Sequence, residues 1–394
     1  MIHLTGATVV QPGGLLSAAT LTIEGDRIAE ITAGHEPHED SVQLHDHYIV
    51  PGFIDVHVHG VGGVDSLEAL DAVGRIARRL PQHGVTAFCP TSMACDPGVL
   101  RTFLESVRVA RSRPPANSAR VLPAHLESNF INPEFKGAQP EICIRGPRAV
   151  IDGEFSGQSI LREIERGRAD VGIITVAPEI DGVLELIPEF VGHGHRVSVG
   201  HSGASYEQAL AAVAAGARHA THLFNAMSGF SHRDPGLVGA VLDSDEIAAE
   251  VICDGVHVHP AGVRLAVAAK SPSRIMAITD GTAGSGLASG TRTTLGGRAI
   301  IARDAAYLAD GTLAGSVLTM DRAFVRLVTQ MGFSLVDASL MCATTPAREL
   351  GLLGMGVLVA GGLADLVVLD RNLNVVETYV AGVRAFSHGD GHPR

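Results

Sequence analysis

From Pro51 to about Leu350 the chain repeats one texture, and that repetition limits its fold more than any other feature. Short β-branched runs that end on a polar residue alternate with stretches rich in alanine, leucine and arginine. "FIDVHVH" is followed by "LEALDAVGRIARRLPQHG", then "VTAFCPTS" by "DPGVLRTFLESVRVARS". The pattern continues through "RVLPAHLE", "VGIITVAPE", "RVSVGHS", "YEQALAAVAAGA", "HATHLFN", "EIAAEVICDGVHV" and "RIMAITD". Units of this length need parallel strands joined by crossover helices, and about eight of them predict a closed (β/α)8 barrel of the TIM type. The two ends read differently. Residues 1–50 and 351–394 are strands and turns, with a Gly25-Asp26 turn between two strand-like runs. The expected division is therefore a barrel over 51–350, with 1–50 and 351–394 together forming a small discontinuous β-sandwich.

Composition narrows the function. The 394 residues are 46% hydrophobic and 18% charged, enough apolar surface for a large core and too little charge for a disordered chain. Thirty basic against 42 acidic residues leave a formal net charge of −12, and no basic stripe offsets it, which argues against a nucleic-acid partner. The lysines are Lys136 and Lys270; neither lies in a GxxxxGK loop, so no P-loop is expected. The most apolar stretch, Leu352 to Leu369, is interrupted by Asp365 and several glycines, so no membrane span is expected. Met1 to Gly14 lacks a basic segment followed by an apolar run, so no signal peptide is expected. Five cysteines (Cys89, Cys95, Cys143, Cys253, Cys342) form no CxxC pair and are odd in number, which fits a reducing cytoplasm better than a disulfide framework.

The chemistry is carried by strand ends. His57 and His59 stand at i and i+2, so on a strand their imidazoles share a face and can reach one metal. They follow the apolar "GFIDV", at the C-terminal mouth where barrel active sites are built. Glu127 ends "RVLPAHLE", His201 ends "RVSVGH", His222 follows "HAT" and Asp280 ends "RIMAITD". A carboxylate at such a place usually caps a helix, and a lone histidine is usually just half-buried. Five strand ends with the same habit are poorly explained as five accidents. Converging imidazoles and carboxylates suit zinc or a similar divalent ion with positions left for water and substrate.

The runs "PGFIDVHVHG", "HLE…KGAQ", "GHSGA", "THLFNAM", "RDPG", "DGVHVHP", "ITDG" and "DGTLAGS" cover the chain from Pro51 to Thr319. In that order and combination the chain resembles the amidohydrolase superfamily, and within it the N-acetylglucosamine-6-phosphate deacetylases. The resemblance implies a metal-dependent barrel with a small β-sandwich. It implies hydrolysis of the acetamide of N-acetyl-D-glucosamine 6-phosphate to D-glucosamine 6-phosphate and acetate, a step of amino-sugar catabolism. Motif by motif, it implies Glu127, His201 and His222 as ligands of the principal ion, and His57 and His59 as holders of a second. It implies Asp280 as the catalytic aspartate. Asn225, Ala226, Arg233 and His257 match groups that hold the sugar phosphate, while Ala138, Gln139, Leu313, Ala314 and Gly315 match segments that shape the pocket. Zn2+ is the expected ion, one or two per chain, with Fe2+, Mn2+ or Co2+ as alternatives. The resemblance also implies a homodimer or a dimer-based homo-oligomer, the phosphate site being completed across the subunit interface.

The residue types suit that chemistry. A divalent ion brings the pKa of water to about 7 and polarises the amide carbonyl. Asp280 can take the proton and later deliver it to the departing amine. Arg233 offers a planar fork that matches phosphate oxygens, aided by His257. No lysine ends a candidate strand, so Glu127 takes the place that a carboxylated lysine holds in many related barrels. "GHSGA" nearly spells a GxSxG nucleophile elbow, but residue 204 is alanine and no partner triad stands nearby, so Ser202 is not expected to attack. Gly281, Gly284 and Gly286 do not match GxGxxG and read as a flexible loop beside the site; Met227 reads as packing. Two departures from the family pattern, Ser128-Asn129 and Gln139, fall where the sugar is expected. They keep open an alternative, a deacetylase of N-acetylgalactosamine 6-phosphate or of another N-acyl compound. A non-catalytic barrel used as a scaffold is the reading from a different class, and the intact strand-end set argues against it.

Overall fold

A computed structural model describes residues 1–34 and 41–389; the parts of the two outer segments at 35–40 and 390–394 lie outside the described residues. Eight parallel strands follow one another around the barrel: β1 (Phe53–Val58), β2 (Val85–Ser92), β3 (Ala124–Glu127), β4 (Val171–Val176), β5 (Arg196–Val199), β6 (His219–Ala220), β7 (Ala248–Ile252) and β8 (Ile275–Ile278). Each pairs with the next in sequence, from β1 on β2 to β7 on β8. β1 and β2 are buried along their whole length, as strands covered on both faces must be. The sequence predicts one strand over "RVLPAHLE", but Pro123 has no N–H for the ladder. The run therefore splits into Arg120–Val121 and β3. Helices cross between the strands, among them Ala72–Arg79, Pro97–Ser112, Tyr206–Ala215 and Pro260–Lys270. Asp96 starts the second of these by accepting from the Gly98 and Val99 amides at 2.8 and 3.1 Å, and Ser205 with Gln208 forms a capping box on the third.

β8 and β1 meet at the seam of the barrel. There the ladder shrinks to a single bridge between Val58 and Gly281, and side chains finish the closure. The Asp55 carboxylate, fully buried in the seam, accepts from the Thr279 hydroxyl at 2.6 Å, and the Gly281 carbonyl accepts from the amides of His59 and Gly60, both at 2.9 Å. Burial pushes Asp55 up to about 7 although Thr279 opposes the shift. Of the glycines expected to make a flexible loop, Gly281 and Gly284 are packed into this seam instead, while Gly286 is exposed. A Cβ on Gly281 would stand 2.9 Å from both the Ser285 and the Thr279 hydroxyl oxygens, and residues 281–285 are all buried. Close approach, not looseness, is what glycine provides here.

The chain ends form one further sheet. Its path runs Val383–Ser387, Val375–Val380, Leu366–Leu369, Tyr48–Pro51, Ile2–Gln11, Gly14–Glu24 and Arg27–Ala33. Leu366–Leu369 pairs antiparallel with Tyr48–Pro51, which joins the C-terminal strands to the N-terminal ones. One face has its own core, including Leu4, Leu21, Ile28, Ile49, Leu366 and Tyr379. The other face packs Val10, Val50, Val367 and Leu369 into the barrel's core. A small antiparallel flap, Arg292–Leu295, Arg298–Ala302 and Ala306–Leu308, follows β8 and was not legible in the βα pattern.

Glu349 ties the helix Thr345–Glu349 to the barrel, lying 3.7 Å from His219 at the start of β6 and 3.6 Å from Arg274 before β8. Burial pushes its carboxyl up, but His219 and Arg348 outweigh burial and bring it down to about 2 from the ordinary 4.5. A depressed carboxyl adds stability above its ordinary value and loses it as pH falls toward the folded value. Denaturant unfolding followed from pH 5 downward should therefore show wild type losing stability between about pH 4.5 and 2, with a shallower slope in Glu349→Gln. Equal slopes in the two proteins would contradict this role.

Candidate active site

The residues singled out at the strand ends gather at the C-terminal mouth of the barrel. β1 supplies His57 and runs on to His59, and β3 ends on Glu127. His201, His222 and Asp280 each sit two residues past β5, β6 and β8, and each has a positive φ: 48°, 33° and 47°. Phe224 and Ala226 share the strain at 80° and 50°. For residues other than glycine this conformation costs about 1–2 kcal/mol each. The turns it makes aim three side chains into the mouth, and such strain gathers where geometry serves function.

Two sets of ligand atoms result. Glu127, His201 and His222 each offer one atom within 4.8 Å of the others, and so do His57, His59 and Asp280. In the first set Glu127 Oε1 lies 2.8 Å from His201 Nε2 and 2.9 Å from His222 Nε2, with the two nitrogens 3.1 Å apart. In the second, His57 Nε2 and His59 Nε2 are 3.2 Å apart and lie 3.4 and 3.2 Å from Asp280 Oδ1. Glu127 links the sets, its Oε2 being 3.5 Å from His59 Nε2. Zinc–nitrogen bonds of about 2.0–2.1 Å in a tetrahedron place ligand atoms about 3.3 Å apart. The donor types and spacings therefore fit a divalent ion in each set. His201 Nδ1 lies 2.8 Å from the Phe135 carbonyl, which can only accept, so the ring donates there and presents Nε2 to the mouth.

The charges are balanced within this cluster. Burial alone would raise Glu127, but His201 and His222 outweigh it and hold its carboxyl well below the usual range. Burial likewise opposes ionisation of Asp280, and the imidazoles of His57 and His59 bring it below the ordinary value. Asp280 is thus a carboxylate, free to accept a proton.

A cavity of about 340 Å³ opens over the cluster. Ala138, Gln139, Asn225, Ala226, His257, Leu313 and Gly315 line it, together with His59, Glu127, His201, His222 and Asp280. His257 is held by Asp254, whose carboxylate lies 2.6 Å from Nδ1, leaving Nε2 toward the cavity. Gly315, at φ +71°, lets the chain pass Asp280: a Cβ would meet the Asp280 carbonyl at 3.0 Å and Thr282 Cγ2 at 2.9 Å. Two residues of the expected set lie elsewhere. Ala314 turns into the small core of Met93, Leu295, Ile300, Ala306 and Leu308. Arg233 is exposed and lies outside the cavity lining, and it makes no ion pair among the described residues. Ser202 is not placed to attack, since its buried hydroxyl donates to Glu179 at 2.7 Å. Met227 is packed in the barrel core.

A family model described as the amidohydrolase family matches residues 48–385. The N-acetylglucosamine-6-phosphate deacetylase of Danio rerio is 39% identical over 348 residues, which are 85% of this chain and 83% of that protein. This chain belongs to the N-acetylglucosamine-6-phosphate deacetylase family of amidohydrolases. A variant of the Mycobacterium smegmatis N-acetyl-D-glucosamine-6-phosphate deacetylase, solved with N-acetyl-D-glucosamine-6-phosphate, matches with a TM-score of 0.89 at 32% identity, covering 98% of this chain and 99% of its own. An N-acetylgalactosamine-6-phosphate deacetylase of Escherichia coli O157:H7 is 33% identical over 362 residues, 90% of this chain and 93% of that protein.

Sequence reading passed over the groups that support this amidohydrolase site. Asp254 stands three residues before His257, a spacing that could have suggested a pair. Glu250, buried in β7 against His57, looks in the sequence like any interruption of an apolar run. Leu295 on the flap and Thr312 just beyond it reach the cavity only through long-range folding, and Met93, one residue past β2, is marked by no local signal.

His201→Ala and His222→Ala should each cost the chain tightly held divalent ion, seen as ion content after dialysis against a weak chelator. Retention equal to wild type in either variant would remove that residue from the ion site.

Proposed function

We propose that this chain hydrolyses the acetamide of N-acetyl-D-glucosamine 6-phosphate, releasing acetate and D-glucosamine 6-phosphate. The observation that carries the reading is the convergence of Glu127, His201 and His222 with Asp280 on one side of a cavity of about 340 Å³. Relatives that align over 85% or more of the chain bear this activity in their names. Zn2+ is the proposed ion, supported by imidazole and carboxylate donors at tetrahedral spacings; one of these ions at Glu127, His201 and His222 is the minimum, and His57 with His59 would hold a second. Such an ion polarises the acetamide carbonyl and lowers the pKa of water to about 7.

The chain's own residues do the rest. Asp280, held as a carboxylate 3.2 Å from His59 and 3.4 Å from His57, takes the proton of the attacking water. It returns that proton to the nitrogen, because an amine departs poorly until protonated. Gly315 keeps the chain clear of Asp280, and Gln139 donates to Glu127 Oε2 while lining the cavity. His257, oriented by Asp254, and Asn225 with Ala226 face the sugar.

The phosphate needs a cation, and among the described residues no lysine or arginine lines the cavity. Arg233 on its exposed loop is the proposed partner of the phosphate, reached in a homodimer by the site of the other subunit. The five free cysteines support a cytoplasmic location, and no helix of the described residues is long and apolar enough to cross a membrane. The second reading, N-acetylgalactosamine 6-phosphate as the substrate, is favoured by the named relative at 33% identity over 90% of the chain.

Acetate release from a panel of phosphorylated and free N-acetyl sugars tests the substrate. Asp280→Asn should lower turnover by about 10²–10⁴-fold while the ion at Glu127, His201 and His222 stays bound; a rate near wild type would show that another group moves the proton. Arg233→Ala should remove a charge-assisted contact worth roughly 1.5–3 kcal/mol, mainly in KM, with partial rescue by lysine. The ratio of phosphorylated to free N-acetylglucosamine activity should collapse, and sedimentation should find the active species dimeric. An unchanged ratio, or a fully active monomer, would remove Arg233 from the phosphate site.

A further inference from the structure

Below the mouth of the barrel lies a buried polar cluster that touches no part of the cavity. Its centre is Glu250, in the middle of β7 and fully buried. Glu250 Oε2 is 2.9 Å from His57 Nδ1, two strands round the barrel. A carboxylate accepts, so the His57 ring donates from Nδ1 and leaves the lone pair of Nε2 facing His59 and Asp280, 3.2 and 3.4 Å away.

His57, His125 and Glu250 also lie close enough together to be mistaken for an ion site of their own. The hydrogen-bond directions exclude it. His125 Nδ1 is 3.0 Å from the Val56 carbonyl, which can only accept, so Nδ1 carries the proton. Nε2 must then accept, and it does so from the Thr175 hydroxyl at 2.7 Å. Thr175, having spent its proton, accepts from Thr221 at 2.7 Å, and Thr221 accepts from Ser198 at 2.6 Å. One carbonyl therefore sets the direction of the whole chain of bonds. Both nitrogens of His125 are engaged, and Glu250 is left to serve His57.

The imidazole rings of the two sets are oriented by different groups, and Glu250 meets the first set through backbone, its carbonyl accepting from the Leu223 amide beside His222 at 2.8 Å, a bond that a side-chain substitution keeps. His201 is oriented by the Phe135 carbonyl at 2.8 Å, from a loop that Glu250 does not touch. The Nδ1 atoms of His59 and His222 have no hydrogen-bond partner among the described residues. Of the imidazoles facing the second set, His57 alone is fixed by a side chain.

We infer that Glu250 is a positioning residue which commits His57 to bind through Nε2, so that the ion at His57, His59 and Asp280 depends on Glu250 while the ion at Glu127, His201 and His222 does not. The inference rests on the reading of these two groups as ion sites. A partner that fixes the far nitrogen of a ligating histidine orients the ring and raises its basicity, and losing it typically weakens metal binding about 10–100-fold.

The test is zinc titration of the chelator-stripped full-length chain by calorimetry, with ion content measured after dialysis. Wild type should take up two ions. Glu250→Leu should keep one of them with wild-type affinity and bind the other about 10–100-fold more weakly. Glu250→Gln keeps an acceptor oxygen and should restore the second ion to within a few-fold, a rescue that general loosening of the core would not produce. Should the leucine variant fail to fold, ring 15N NMR of zinc-loaded wild type still decides, since His57 must appear as the Nδ1–H form. Two ions held with wild-type affinity in folded Glu250→Leu, or His57 carrying its proton on Nε2, would overturn the inference and leave the proposed reaction standing. A single ion in wild type would overturn it too. No ion in wild type would instead bring down the reading of the site itself.

Discussion

The seam between β8 and β1 is the closure on which the rest of the molecule depends. Elsewhere around the barrel neighbouring strands share a ladder, but here a single bridge joins Val58 to Gly281. The missing rungs are replaced by the Asp55 carboxylate on Thr279 and by the Gly281 carbonyl on the amides of His59 and Gly60. These bonds fix the relative height of β1 and β8, and therefore of His57 and His59 against Asp280. Removing a buried partner leaves a polar group unsatisfied at a cost of about 1–3 kcal/mol. At this seam the same loss would also misplace three groups of the site, so stability and chemistry are coupled through one carboxylate. The burial that raises Asp55 to about 7 is the cost of putting that carboxylate where the ladder is interrupted.

The mouth is built by a different device, local strain. His201, His222 and Asp280 adopt positive φ where a strand ends. An ideal strand would alternate their side chains between the barrel interior and its helices. Turning the backbone just past the last rung lets the strand keep its packing while the next residue points along the axis. The glycine at 315 is the complement, since it removes a Cβ that would otherwise press on the Asp280 carbonyl.

Much of this was legible in the sequence, for a physical reason. Parallel strands buried on both faces read as apolar runs, so a polar residue ending such a run stands out, as Glu127, His201 and Asp280 do. The helices Pro97–Ser112 and Tyr206–Ala215 were legible as stretches rich in alanine, leucine and arginine, and the structure adds their caps. What depends on long-range contact was not legible. Glu250 interrupts an apolar run as a structural residue would, and only the fold brings it to His57, 193 positions away in sequence. The glycines at 281 and 284 carry no sign of whether they give freedom or close contact; the seam demands contact. Arg233 matches its motif, yet it stands on an exposed loop of a single chain, because a motif records a residue's neighbours in sequence and not the surface it will meet.

The residues that depart from the family pattern can be sorted by where their polar atoms go. Ser128 donates to the Thr175 carbonyl at 2.6 Å and accepts from the Phe130 amide at 3.1 Å. The Asn129 amide donates to the carbonyls of Cys95 and Cys143, each at 2.7 Å. Both side chains are buried and neither lines the cavity, so they brace the loop that carries Gln139. Gln139 differs. Its carbonyl accepts from the Ala94 amide at 2.8 Å, its amide donates to Glu127, and it lines the cavity. With the oxygen engaged by the backbone, the amide cannot flip without breaking both bonds, so Gln139 presents a fixed donor to the carboxylate that joins the two sets of ligands. The departure at 139 therefore bears first on the Glu127 carboxylate, which Gln139 holds from the side of the cavity.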